Sequence, residues 1–160
     1  MKVSQFFFLT SSCIVASAPQ FFGYAGIAIA MTFANMGAAY GTAKSSIGIM
    51  NLGLADPSKI LRGLVPVIMA GILGVYGLIV GVLMVSKAKI ADATEGYKIL
   101  AAGMCCGLCS LASGLAIGVV GEAGVRGYAQ TDGVYVALII MLIFAEAIGL
   151  FGLILAIIVS

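Results

Sequence analysis

Long apolar runs dominate the chain and determine the secondary structure that we predict. No Asp, Glu, Lys or Arg occurs in residues 3–43, 63–86 or 99–121, and only Glu146 interrupts residues 133–160. Each run exceeds the roughly 20 apolar residues that a helix needs to cross a bilayer. The pattern predicts an all-α membrane protein with four transmembrane helices, at about residues 20–50, 59–86, 95–126 and 133–159.

Short polar segments connect the predicted helices. Asp56 can cap the second helix, and Pro57 suits its first turn because proline has no amide hydrogen to leave unpaired. The other two connections are predicted at residues 87–94 and 127–132. Short connections make neighbouring helices antiparallel. We therefore expect a first hairpin at residues 20–86 and a second at residues 95–160.

The lead segment, residues 1–19, has the shape of a signal peptide. Lys2 precedes an apolar stretch that ends in small residues, which is the pattern of a cleaved leader. We expect the segment to be retained, with Pro19 separating it from the first full span. Cleavage is the alternative.

The two hairpins resemble each other in sequence. With residues 68–80 set over residues 143–155, six of thirteen positions are identical. At an offset of 77, glycines of the first helix fall on glycines of the third, which indicates an internal duplication. Membrane helices associate through close packing of small residues. Glycine stripes therefore predict an oligomeric ring whose inner helices are the first and third, although generic membrane packing is an alternative. The packing glycines are Gly26, Gly37, Gly41, Gly103, Gly107, Gly114 and Gly118.

Composition excludes several classes of function. Eight Lys and Arg against six Asp and Glu give a net charge of +2, spread too thinly to form a nucleic-acid-binding surface. The chain has four cysteines and no histidine, which gives no zinc-ligand pattern. We therefore expect no metal, no cofactor and no nucleic-acid partner. No soluble catalytic domain fits, so the chain is not expected to be an enzyme on its own.

Glu146 is the one acidic residue in the middle of a predicted span. It lies roughly 20 Å along the last helix at ~1.5 Å per residue, near the bilayer centre. A charge at that depth costs about 2.5–3.5 kcal/mol, so the side chain should be neutral at rest and charged beside a cation. That behaviour is typical of a proton carrier, although an acid that only hydrogen-bonds between helices is an alternative. Expected neighbours of the site are Tyr76 as a hydrogen-bond donor, the repeat-matched Gly71, Ala145 and Gly149.

Four motifs stand out along the chain: GAAYGTAKSSIGI at residues 37–49, LVPVIMAGILGVYGLIV at 64–80, GLAIGVVGEAGVRG at 114–127 and LIFAEAIGLFGLI at 142–154. Together they resemble the proteolipid c subunit of the eukaryotic vacuolar-type proton ATPase. The resemblance extends over residues 21–159. It implies a rotor-ring subunit of the membrane sector, in which Glu146 binds and releases a proton while ATP hydrolysis in a separate sector turns the ring.

The resemblance also implies partners and a location. Other c-type subunits would complete the ring, and a stator a subunit would present an arginine to Glu146. Central-stalk subunits would bind the cytosolic face, and membrane lipid would surround the ring. The membrane would be that of a vacuole or another acidic compartment, with the first and third connections cytosolic. Two alternatives are a variant proteolipid of the same ring and a glycine-rich pore or junction protein.

Overall fold

The computed structural model describes residues 2–88 and 93–159. Its elements in chain order are α1 (Lys2–Ala55), a 3₁₀ turn (Pro57–Lys59), α2 (Ile60–Gly63), α3 (Val65–Ala88), α4 (Ala93–Gln130) and α5 (Val134–Val159). Four described segments are long and apolar enough to cross a membrane: Gln20–Ala55, Pro57–Val85, Thr94–Gln130 and Val134–Val159. Helices suit this composition because they satisfy every backbone polar group within the segment. The prediction of an all-α protein with four spans is confirmed.

The connection inside the first hairpin is a capped turn. The Asp56 side chain accepts hydrogen bonds from the amide and the hydroxyl of Ser58, at 3.1 and 2.7 Å, and Pro57 occupies the first turn. The second span is then interrupted at Leu64, two residues before Pro66. Pro66 has no amide hydrogen to donate to the carbonyl of Arg62, four residues earlier, so the helical hydrogen bonding is broken at this point. The predicted cap is confirmed, and the interruption was not predicted.

Two helices end later than predicted. α1 reaches Ala55 rather than about residue 50, and α4 reaches Gln130 rather than about residue 126. The added turns bury Leu52 and Tyr128, which belong to one core cluster. Burying a large apolar side chain stabilises by about 1.5–3 kcal/mol, which exceeds the roughly 1 kcal/mol helix penalty of a glycine such as Gly127.

The start of the first helix also differs from the prediction. α1 begins at Lys2 and continues through Pro19, where we expected a boundary between the lead segment and the first span. An apolar segment tolerates a proline within a helix because a full break would leave more backbone groups without partners. Cleavage of the lead stays untested. Residues 89–92 of the predicted second connection lie outside the described residues.

The closest helix packing is between α1 and α4. A Cβ added to Gly37 would lie 2.6 Å from the carbonyl oxygen of Ser110, and one added to Gly114 would overlap the backbone of Gly37. Gly26 and Gly103 meet in the same way. The other predicted packing glycines also approach the backbone of the opposite helix: Gly41, Gly107 and Gly118. These glycines therefore join the two hairpins within one chain, and their place inside a ring stays a prediction.

Ion pairs tie the two hairpins together where each one turns. Lys59 Nζ lies 2.6 Å from an Asp132 carboxylate oxygen and 3.7 Å from one of Asp56. On the neighbouring helix ends, the Glu122 carboxylate lies 3.2 Å from Lys44 Nζ and 2.7 Å from a guanidinium nitrogen of Arg126. The first and third connections therefore lie at the same end of the bundle.

Candidate functional site

The α5 helix places a single carboxyl in the middle of the bundle. Glu146 is the thirteenth of the 26 residues of α5, and its relative exposure is 7%. It follows the buried Ala145, which packs in a cluster of apolar side chains with Leu73 and Leu142. The carboxyl therefore lies far from both ends of an apolar helix and is largely shielded within one chain.

Tyr76 on α3 supplies a direct polar contact to this carboxyl. Its hydroxyl donates a hydrogen bond to Glu146 Oε1 at 2.7 Å. The aromatic ring of Tyr76 packs against two clusters of buried apolar side chains in the bundle. The hydroxyl therefore belongs to a side chain that is held in place. This is the contact that the sequence led us to expect of Tyr76. The hydrogen bond joins the two hairpins, because Tyr76 belongs to the first and Glu146 to the second.

The second carboxyl oxygen of Glu146 is buried. Glu146 Oε2 has no hydrogen-bond partner among the residues that the structure describes. A neutral carboxyl tolerates this environment better than a carboxylate does, because a buried charge needs a counter-ion or several donors. The neutral, protonated form of Glu146 therefore suits these surroundings.

The helix turn that carries Glu146 is contacted at its backbone as well. The Ser113 hydroxyl donates to the Ala145 carbonyl at 2.7 Å. A Cβ added to Gly149 would lie 2.6 Å from Leu73 Cδ2 and 3.4 Å from Ser113 Oγ. Ala145 and Gly149 therefore border the site through their backbone and their small size rather than through polar groups.

Gly71, the repeat-matched position in the first hairpin, has different surroundings. It is exposed, and a Cβ added to it would have no atom within 4 Å. A side chain there would begin in open space instead of against the carboxyl. Within one chain, Gly71 therefore corresponds to Glu146 in the repeat without bordering it.

Sequence reasoning missed Asn35 on α1. Its Oδ1 lies 2.9 Å from the position that a Cβ on Gly74 would occupy, so a polar amide packs on a glycine of α3. The available signal was an amide in the middle of an apolar span. Cys105, Cys106 and Cys109 are free, and no cluster of three or more His, Cys, Asp or Glu side chains able to hold a metal occurs among the described residues.

The fold and the site define a class of protein: a membrane protein of two tandem helical hairpins with one buried acid in the second. A family model described as the C subunit of ATP synthase matches the chain twice, at residues 25–84 and 100–159. The chain therefore belongs to this ATP synthase C-subunit family, and the internal duplication is a duplication of the family's unit.

Individual proteins similar to this chain are V-type members of the family. The V-type proton ATPase 16 kDa proteolipid c subunit 2 of Caenorhabditis elegans is 52% identical over 151 residues, covering 91% of this chain and 92% of that protein. The 16 kDa proteolipid c subunit of the Ascaris suum V-type proton ATPase is 51% identical with the same coverage. The V-type proton ATPase proteolipid subunit of Dictyostelium discoideum is 46% identical, covering 95% of this chain and 78% of that protein. The resemblance inferred from the four motifs is confirmed.

Proposed function

We propose that this chain is the proton-carrying rotor-ring subunit of the membrane sector of a vacuolar-type ATPase, with Glu146 as the proton carrier. Family membership and the names of similar proteins support the rotor assignment. The observation that carries the site assignment is Glu146 itself. It is a mid-span carboxyl with one oxygen bonded to Tyr76 and the other buried without a partner among the described residues.

The proposed chemistry is reversible protonation. In the apolar surroundings of Glu146 at mid-span, the neutral form is favoured, because a charge at membrane depth costs several kcal/mol. A stator a subunit with an arginine opposite Glu146 would stabilise the carboxylate and let the proton leave. When rotation moves the side chain away from that arginine, the carboxyl must take up a proton again. Tyr76 keeps one carboxyl oxygen oriented throughout.

The rotor needs more than one copy of this chain. Large apolar side chains project from the outer helices, including Ile68 on α3 and Phe144 and Phe151 on α5, each at least 62% exposed. Such surfaces suit lipid or neighbouring subunits. We propose a ring of c-type subunits with α1 and α4 inside, with central-stalk subunits at the end of the bundle that holds the first and third connections. That end would be cytosolic, and the membrane would be that of an acidic compartment.

One carboxyl for every four helices affects the energetics of pumping. Each proton moved against 100 mV requires about 2.3 kcal/mol. A ring that carries one proton per two hairpins moves half as many protons per turn as a ring with an acid on every hairpin. The same energy per turn can then drive each proton against a steeper gradient, which favours pumping over ATP synthesis. ATP hydrolysis belongs to other subunits in this scheme.

Replacing Glu146 by glutamine tests the proposal. Glu146→Gln keeps the size and polarity of the neutral acid but cannot release a proton, so rings should assemble and acidification of sealed vesicles should be lost. Glu95→Gln is the matched control, because Glu95 is an exposed acid in the first turn of α4 and should leave acidification unchanged. Acidification at the wild-type rate by rings made only of Glu146→Gln chains would overturn the proposal.

A further inference from the structure

A buried serine on α4 binds the backbone of α5 beside the proposed proton carrier. Ser113 is fully buried, and its hydroxyl donates to the carbonyl oxygen of Ala145, the residue before Glu146. In an α-helix this carbonyl also accepts the amide of the residue four positions later, Gly149. A carbonyl oxygen can accept two hydrogen bonds. The serine therefore joins α4 to α5 without opening the α5 helix.

Glycine at position 149 leaves room beside this contact for a side chain of α3. A Cβ there would lie only 2.6 Å from Leu73 Cδ2, whereas its distance of 3.4 Å from Ser113 Oγ would be an ordinary van der Waals contact. Leu73 from α3 and Ser113 from α4 therefore both reach the same turn of α5. Tyr76, one turn along α3 from Leu73, binds the Glu146 carboxyl. The turn is thus held from two sides, at its backbone by Ser113 and at its acid by Tyr76.

Ser113 itself sits at a rigid place in the bundle. The next residue, Gly114, is one of the two places, with Gly103, where a Cβ added to α4 would overlap the backbone of α1, here at Gly37. Close backbone packing of this kind leaves no room for α4 to rotate or slide against α1. A continuous set of contacts therefore runs from α1 through α4 to the carbonyl next to Glu146.

We propose that Ser113 is a positioning residue that fixes the rotation of α5 about its axis, so that the Glu146 carboxyl meets the Tyr76 hydroxyl. The inference rests on the proposed function, because it explains how that proton site is held in register. Removing the Ser113 hydroxyl should let α5 rotate slightly and lengthen the bond between Tyr76 and Glu146. The acid itself would stay in place.

The chain contains its own control. Ser110 is fully buried on the same helix, three residues earlier, and among the described residues its hydroxyl makes no hydrogen bond to α5. Ser110→Ala and Ser113→Ala thus remove the same atom from equally buried places on α4. Only Ser113→Ala removes the bond to α5.

The test combines infrared spectroscopy with acidification, on the assembled ATPase in vesicles. The carboxyl C=O stretching band of Glu146 is the band that disappears in Glu146→Gln. Ser113→Ala should shift this band and slow acidification about threefold, the size expected for one hydrogen bond between membrane helices, whereas Ser110→Ala should leave both unchanged. In a Tyr76→Phe background, Ser113→Ala should produce no further shift, because the bond through which it acts is already gone.

Two outcomes would overturn the inference without touching the proposed function. One is a Ser113→Ala band identical to that of Ser110→Ala. The other is an equal shift with and without the Tyr76 hydroxyl. Ser113→Cys keeps the side chain nearly the same size with a weaker donor and should give an intermediate shift, so it supplies the measurement if Ser113→Ala rings do not assemble. An unshifted band in Ser113→Cys would then count against the inference, whereas normal pumping by Glu146→Gln counts against the proposed function.

Discussion

The two hairpins are built alike and differ in chemistry. In each, glycines on the second helix pack against the first helix of the same hairpin: Gly77 of α3 meets Ala34, and Gly152 of α5 meets Cys109. At the position where the second hairpin has Glu146, the first has Gly71. The difference indicates that the glycine framework specifies packing and does not require an acid at this position.

The polar contacts of the two hairpins are also alike in position and different in chemistry. A polar side chain approaches a matched glycine in both, Asn35 at Gly74 and Ser113 at Gly149. Only the second contact lies beside an acid. The donor to that acid, Tyr76, belongs to the first hairpin. The matching position in the second hairpin is Phe151, which is exposed and has no hydroxyl. The proposed proton site therefore combines side chains of both hairpins.

The largest effect is expected where the hairpins meet. Gly114→Leu would drive a side chain into the backbone of Gly37, and overpacking against a rigid backbone should cost more than ~3 kcal/mol. We expect this variant to lose its cooperative unfolding transition in detergent and to accumulate poorly. Gly71→Leu is the matched change in open space and should unfold like the wild type. Equal unfolding transitions for the two variants would contradict the assignment of Gly114 to the contact between α1 and α4.

Tyr76 provides the next test, because it is the contribution of the first hairpin to the acid of the second. Tyr76→Phe removes the hydroxyl that binds Glu146 and should slow acidification about fivefold, corresponding to ~1 kcal/mol for one hydrogen bond. Tyr24→Phe removes a hydroxyl from an exposed tyrosine on α1 and should have no effect. Normal acidification by Tyr76→Phe would show that the second hairpin forms the proton site by itself.

The smallest expected effect concerns the turn of the first hairpin, where Asp56 caps the 3₁₀ turn. Hydrogen bonds from the hydroxyl and amide of Ser58 hold the pKa of Asp56 below its ordinary value. The carboxylate therefore stabilises the turn above its ordinary pKa of about 4, and this contribution is lost as the pH falls through the lowered value.

Amide hydrogen exchange at Ser58 measures this effect. The Asp56→Asn variant keeps a side chain that caps helices well but does not titrate, so its ratio to the wild type at each pH cancels the intrinsic exchange rate. The wild-type turn should lose protection relative to Asp56→Asn only below about pH 4. A ratio that does not change with pH would show that the Asp56 charge contributes nothing to the turn.

The framework was predictable from the sequence because its signals are local. Charge-free runs longer than a bilayer is thick mark the spans, and glycines repeated at an offset of 77 mark both the duplication and the contact between α1 and α4. Glu146 was equally visible, since an acid within an apolar span has few structural reasons to be there.

The features that the sequence could not predict depend on packing between the helices of the bundle. Leu52 and Tyr128 extend their helices past glycines because both enter one core cluster, which no local pattern shows. The bond from Ser113 to the Ala145 carbonyl depends on the rotation of α4 against α5. The repeat alignment also suggested Gly71 as a neighbour of the site. Matching positions of two repeats have similar places within their own hairpins, but they need not lie next to each other.

Labelling with a lipid-soluble carbodiimide tests most directly whether one neutral acid on the second hairpin is the proton site. The reagent attacks protonated carboxyls. A carboxyl in water is ionised at about pH 7, whereas a carboxyl shielded in an apolar span should stay neutral. Peptide mass spectrometry after labelling should therefore find one modified residue per chain, Glu146, and acidification should fall in proportion to its modification. Labelling spread over Asp56, Glu122 and Asp132, or full acidification after Glu146 is modified, would contradict the account.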